Sequence, residues 1–512
     1  MPTIRPSSPL SSGLLAALVA LAAACSKTDA SSAGPDAQAP DARASEADFP
    51  PGFLWGSATA SFQVESGNAN TDWGVWAATP GKIKNGDRPD DGPDALAHID
   101  EDVKALTDTA QNAYRFSFEW GKLYPTRESL DSDTPDADTL AKYTNLVGKL
   151  RAAKITPMLT LSHFSLPLYL SNPRLPKEPQ GWERPETVQA FARYCGRIAA
   201  RFGKDIDLWA TINEPVVAPL GGYIQGAFPP GLVLEMDRAF AVVKAEARGH
   251  AACYDAIHQA DTVDADGDGK AALVGPVLHQ REVLPQDPND EADRAATKRV
   301  RYFNNLWFAN ASILGDWDDD FDGSLEGPGD RKADPALKGR ADWVGVNYYT
   351  IMLVASSGGI VLPRVNAVIK VDRLDTPNPK TDFSWDIHPQ GFGAVLDEIA
   401  IYKLPVFVTE NGLADASDRN RARFLAEHLL QMGLARKRGV DVRGYFHWSL
   451  IDNFEWNSGY CPRFGLFSFD PKTRARTMRE SAKTYKSLIL AGRVRQGDID
   501  AFPPYGAPAV CN

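Results

Sequence analysis

Eight short runs of β-branched and aromatic residues punctuate the chain between Phe53 and Trp448, and this alternation constrains the fold more than any other feature. The runs are FLWGSAT, NAYRFSF, ITPMLTL and DLWATIN, then AALVGPVLH, DWVGVNY, PVFVTE and VRGYFHW. Their nearly continuous apolar character fits strands covered on both faces. Amphipathic helical patterns such as ADTLAKYTNLVGKLRAA and NRARFLAEHLLQMGLARKRG separate them. Eight β/α units in about 450 residues predict a single α/β domain over residues 49–512, a TIM (β/α)8 barrel with extended βα loops.

In such a barrel, chemistry gathers where strands run into their following loops. Polar residues stand at that place again and again: Gln63 soon after the first run, Arg115 within the second, His163 after the third and Asn213–Glu214 after the fourth. Asn347–Tyr349 follow the sixth, Glu410–Asn411 the seventh, and Trp448 closes the eighth. Any one of these reads as an ordinary capped loop residue; the set does not. Two of them are acids that end apolar strands, Glu214 in TINEP and Glu410 in VFVTENG. Alone, either acid is more simply a salt-bridge partner. Two facing one barrel mouth suggest glycosidic bond cleavage, in which one carboxyl protonates the leaving oxygen and the other attacks or activates water.

Across almost the whole body the sequence resembles the family 1 glycoside hydrolases, the β-glucosidase-like enzymes. The motifs that carry the resemblance are FLWGSATASFQVESG, YRFSFEW, TINEP, GVNYYT, VTENG and HWSLIDNFEWNSGYCPRFGL, in the family's order and spacing. The resemblance implies a retaining β-glycosidase acting on non-reducing terminal sugars of β-glycosides, with Glu214 as acid/base and Glu410 as nucleophile. Arg115 and Tyr349 would keep Glu410 ionised, and Asn213 would hold the sugar 2-hydroxyl. Gln63, His163, Asn347, Trp448, Glu455, Trp456 and Phe464 match substrate-binding positions. No metal or organic cofactor is called for. Retention of Glu455 and Trp456 implies an unphosphorylated sugar. The same residues would serve a transglycosidase, and a non-catalytic carbohydrate-binding protein would not need both glutamates. Three departures stand out: Phe164 for a tryptophan, His279 for an asparagine, and Gly121–Lys122 for Ser-Arg.

The first 24 residues read as a signal peptide: Arg5, then the apolar stretch GLLAALVALAAAC, too short for a comfortable membrane span. A cysteine at its end resembles a bacterial lipoprotein signal, which makes Cys25 the lipidated first residue of the mature chain. Ser26 after it fits the outer membrane of a Gram-negative host; the alternative is an ordinary secretory signal. Residues 25–48, rich in Ala, Ser, Pro and Asp, cannot bury enough apolar surface to fold and read as a disordered tether. The membrane is then touched only through the lipid. A net charge of -11 excludes nucleic acid as a partner and leaves small-molecule glycosides.

An exported chain permits disulfides, but spacing cannot pair Cys195, Cys253, Cys461 and Cys511. Cys195, in the helical pattern VQAFARYCGRIAARF, reads as a buried thiol. The stretches DADGDG from Asp264 and DDDFDG from Asp318 resemble the start of a calcium loop, yet Gly275 and Gly329 stand at the twelfth position, where a bidentate glutamate belongs. They read as solvated Asp-Gly turns.

Overall fold

The computed structural model describes residues 46–357, 360–362, 367–369 and 376–511. Cys25, the signal segment and nearly all of the tether lie outside the described residues. All eight sequence runs are strands: β1 (Leu54–Ala58), β2 (Ala113–Ser117), β3 (Thr156–Ser162), β4 (Leu208–Asn213), β5 (Leu273–Gln280), β6 (Val344–Tyr348), β7 (Val406–Asn411) and β8 (Val442–Trp448). They pair in parallel in chain order, and β8 pairs with β1 to close the barrel. Each strand is followed by a longer helix: α1 (Ile99–Asp108), α2 (Ala137–Ala152), α3 (Glu186–Phe202), α4 (Met236–Ala260), α5 (Glu291–Arg301), α6 (Pro389–Ile399), α7 (Arg421–Lys437) and α8 (Glu480–Ala491).

The period of two along a strand divides the side chains between two cores. Ala58, Ala113, Met158, Leu208, Ala210, Val277, Phe407 and Phe446 fill the barrel interior. Their sequence neighbours, such as Tyr114, Trp209 and Val408, pack outward among the helices. Gly56 is required where Phe446 spans the interior, since a Cβ there would meet the ring at 2.6 Å and the Ala113 carbonyl at 2.7 Å.

Two expectations need correction. The tether ends earlier than composition suggests, because Glu46–Asp48 form a strand antiparallel to Arg493–Arg495. Two acids around one alanine carry little apolar signal; pairing with a distant strand orders them. Cys195 is not a free thiol: α3 lies against α4, and Cys195 is bonded to Cys253 with Cα atoms 5.4 Å apart. A second disulfide joins Cys461 to Cys511. The acidic stretches do make turns, with Asp264 accepting from the Gly267 and Gly269 amides and Asp318 from those of Phe321 and Gly323. Among the described residues, no helix is long and apolar enough to cross a membrane.

Several acids are buried without a full complement of donors. Glu246 on α4 is buried, its Oε2 has no hydrogen-bond partner, and burial alone pushes its carboxyl well above the usual range. Burial likewise raises Asp72 and Glu119 to about 7. The folded state therefore holds protons that the unfolded chain releases as pH rises past about 4.5, so stability falls between there and the folded values. Thermal melts at pH 5, 6.5 and 8 should show this decline. In Glu246→Gln the slope should be shallower by up to about 1.4 kcal/mol per pH unit, the linkage limit for one proton. Identical slopes in parent and variant would show that Glu246 is ionised in the fold.

Candidate active site

The polar ends of the strands converge on a pocket of about 360 Å³ at the C-terminal mouth of the barrel. Arg115 reaches it by simple alternation, two residues after the inward-facing Ala113. Asn213 and Glu410 do not. Along β4 the inward residues are Leu208 and Ala210, so alternation would next present Ile212; the pairing with β5 shifts register between Ala210 and Asn213. Asn213 therefore turns inward while Ile212 packs outside. In β7 the pairing with β6 shifts between Val408 and Glu410, so that Thr409 and Glu410 both reach the interior network. Bulges re-aim side chains in this way at the rims of barrels.

Glu214 follows its strand with φ of +48°, a left-handed conformation that is costly for a non-glycine residue. Phe164 at +70° and Trp456 at +50° share it, and all three line the pocket. Such strain persists only where the surroundings over-determine it.

The hydrogen bonds set the two acids apart. Glu410 accepts from Arg115 Nη1 at 2.6 Å and from the Tyr349 hydroxyl at 2.7 Å. Arg115 Nη2 donates to Asn213 Oδ1 at 2.7 Å, and its Nε to Thr160 at 3.0 Å. Glu214 accepts from Asn347 Nδ2 at 3.0 Å. Burial and the neighbouring Glu410 charge push Glu214 up to about 8, against the pull of Asn347, Arg281 and Arg115. Burial also raises Glu410, but Arg115 and Tyr349 pull it back. With a guanidinium and a phenol on one acid and an amide on the other, the shared proton belongs to Glu214. Glu455, half-buried at their side, is raised to about 8 as well, by desolvation first and then by the charges of Glu410 and Glu214.

Most predicted site residues meet here. His163, Asn213, Glu214, Tyr349, Glu410, Trp448, Glu455, Trp456 and Phe464 line the pocket. The His163 ring stacks near-parallel between Trp448 and Trp456, with centroids 5.8 and 6.1 Å away. Burial holds His163 neutral. Gln63 lies behind, donating to Asn453, the Phe454 carbonyl and Glu455, with its own Oε1 unpartnered. Arg115 and Asn347 are fully buried beneath the lining. Asn347, expected to hold substrate, instead ties together Asn213, Glu214 and Thr409.

Sequence reasoning missed much of the outer wall. Phe383 and Trp385, stacked 4.7 Å apart, face Phe464 and Tyr349, while Val217, Phe228 and Arg281 complete it. The aromatic pair in TDFSWD, in the long segment after β6, was the signal that could have found them. The departures also find places: Phe164 and His279 line the pocket, His279 accepting from Arg281 Nε at 3.1 Å. Lys122 pairs with buried Glu65 at 2.8 Å, and a Cβ on Gly121 would meet the Asn70 carbonyl at 2.7 Å.

A neutral acid beside an ionised one, in a closed pocket walled by aromatics, can protonate one oxygen while a carboxylate approaches the same carbon. Comparisons with known proteins agree in kind. The family model for Glycosyl hydrolase family 1 matches residues 45–493. A β-galactosidase of Pyrococcus woesei is 33% identical over 86% of this chain and 97% of its own length. β-Glucosidase A of Thermotoga maritima is 32% identical with the same two coverages, 86% and 97%. A solved family 1 β-glucosidase structure from Thermotoga maritima superposes with a TM-score of 0.76 at 29% identity, over 88% of this chain and 99% of that one.

Infrared difference spectra of the empty protein between pH 6 and 9 should contain protonated-carboxyl bands, one lost in Glu214→Gln and another in Glu455→Gln. If neither band is present at pH 6, the pocket does not hold these protons.

Proposed function

The chain belongs to glycosyl hydrolase family 1, and from that premise we propose a retaining β-glycosidase that releases terminal, unphosphorylated glucose- or galactose-like residues. The observation that carries this reading is the asymmetry of the two acids: Glu410 held by Arg115 and Tyr349, Glu214 raised by burial and by its neighbour. In the first step the Glu410 carboxylate attacks the anomeric carbon while Glu214 gives its proton to the glycosidic oxygen. The carbon–oxygen bond breaks, and the leaving group departs as an alcohol from a covalent glycosyl-enzyme. Glu214, now a carboxylate, takes a proton from water, whose oxygen attacks the same carbon and frees Glu410. Asn213, oriented by Arg115, meets the 2-hydroxyl. His163 and Glu455, backed by Gln63, offer donors and acceptors to the remaining hydroxyls over the Trp448 ring.

The test is a panel of nitrophenyl β-glycosides, including a 6-phosphoglucoside, assayed on the soluble body. Unphosphorylated glucosides and galactosides should turn over, with the β-anomer as first product. Activity should fall at high pH as Glu214 loses its proton near 8. Glu214→Ala should lose roughly 10²–10⁴-fold on substrates with poor leaving groups. Added azide should yield the α-glycosyl azide from Glu410→Gly and the β-glycosyl azide from Glu214→Ala, because each cavity admits the anion from a different face. First product of α configuration would overturn the mechanism.

We also propose that the chain is exported and anchored to the envelope through a lipid on Cys25. Two disulfides support an oxidising compartment. Cys25→Ala should move the protein from the membrane fraction to the soluble fraction; an unchanged distribution would leave the secretory-signal reading.

A further inference from the structure

The family match ends at residue 493, yet the chain continues and returns to the pocket. The Tyr505 hydroxyl donates to Glu427 at 2.6 Å, and its ring packs on Ile387, Leu413 and Phe424. Gly506 N donates to Asn420 Oδ1 at 2.8 Å, and the Ala507 carbonyl accepts from Arg419 at 2.7 Å. Ala509 N donates to Asp382 Oδ1 at 2.7 Å. At the end, Cys511 N donates to the Asp382 carbonyl, the Cys511 carbonyl accepts from Lys84 at 2.7 Å, and the sulfur is bonded to Cys461.

Two of these partners, Asp382 and Cys461, sit beside a pocket wall. Asp382 immediately precedes Phe383 and Trp385, and its other carboxylate oxygen accepts from Ala416 N at 2.8 Å in the loop after Glu410. Cys461 lies in the loop that runs from Trp456 to Phe464. These walls are the outer part of the pocket: Phe383 and Trp385 are half-buried, whereas Trp448 and His163 sit deep. A sugar that reaches the acids fills the floor, so its leaving group lies against the outer walls.

We propose that Tyr505–Cys511, closed by the Cys461–Cys511 disulfide, is a strap that positions the leaving-group wall and so sets affinity for bulky leaving groups. The strap joins three loops, those after β6, β7 and β8. Opening it frees Phe383 and Trp385 to sample other rotamers, which must be lost again on binding. Glu410 and Asn213, bonded through Arg115 to the strands themselves, are unaffected. This inference rests on the glycosidase reading for its kinetic consequence, though not for its structural one.

The disulfide can be opened selectively. Cys461 and Cys511 are half-buried, whereas Cys195 and Cys253 are each 0% exposed. A dithiol reductant attacks one sulfur of Cys461–Cys511, the S–S bond breaks, and the reductant's second thiolate displaces the mixed disulfide. Two cysteine thiols and the oxidised, cyclic reductant result.

The experiment compares the parent, the mildly reduced parent and Cys511→Ser on two substrates of the preferred sugar: a disaccharide and the glycosyl fluoride, whose leaving group is one atom. Opening the strap should lower kcat/KM for the disaccharide about three- to tenfold, the cost of re-ordering one or two large side chains. The value for the fluoride should hold within about twofold. Hydrogen exchange should speed up in residues 381–386 and 457–464. Parallel losses on both substrates, or no loss on either, would overturn the strap's role in positioning. If the parent cleaves no glycoside at all, the catalytic reading fails on its own. Exchange then decides the strap alone: faster exchange in those two segments supports it, and unchanged exchange overturns it.

Discussion

One buried cation organises the site. Arg115 has a side chain 1% exposed and spends its donors on four acceptors from three other strands: Thr160 on β3, Asn213 on β4, and Thr409 and Glu410 on β7. A guanidinium removed from water is costly unless nearly every donor is met, and a lone carboxylate in the same place would simply take a proton. Each therefore depends on the other. Lysine would not substitute, because a point charge cannot reach Glu410 and Asn213 together in fixed geometry. The pair also ties opposite sides of the barrel at the level where the strands end, so the position of Glu410 is set by the fold rather than by a loop.

The second acid is defined by what it lacks. Glu214 sits in the same pocket and shares Asn347 with Asn213, while Arg281 and Arg115 act on it through their charges. Its left-handed backbone and the register slip before it bring it in from the end of β4, off the strand's own alternation. An acid presented from outside the ladder escapes the donors that ladder residues collect. Two chemically identical side chains thus acquire different protonation through position alone, which is the condition for acid and nucleophile to coexist at one pH.

These features were unequally legible in the sequence. The eight strands were readable because a strand buried on both faces writes its identity locally, in consecutive apolar residues. The acids were readable because they break those runs at their ends. Which way Asn213 or Glu410 would point was not, since strict alternation predicts the wrong face for Asn213 and only inter-strand register corrects it. Asn347 looked like a substrate contact because it stands at a strand end, but Tyr349, two residues on, lines the pocket in front of it. The Cys195–Cys253 bond depends on helix packing, and the strand Glu46–Asp48 depends on a partner more than 440 residues away. The outer wall was the least legible part. Two of its aromatics come from a long loop with no periodicity, and the tail that bonds to that loop follows it by 127 residues in sequence.

That division has a physical consequence. The heart of the floor, Arg115, Asn213, Glu410 and Trp448, is built from strand residues whose positions follow from barrel closure, so its geometry can change only at the cost of the fold. The wall is built from Phe383, Trp385 and Phe464 on loops, braced by hydrogen bonds to backbone atoms of the tail. Changes there leave Arg115 and the strands untouched. On the proposed function, recognition of the sugar and recognition of the leaving group are therefore mechanically separable, although they meet across a single scissile bond. The glycosidic oxygen lies at the boundary between the two, and Glu214 is the group that must serve both. Its proton is held by the desolvation of the floor and delivered toward the wall, so a leaving group that admits water past Trp385 would weaken the same burial that keeps Glu214 protonated.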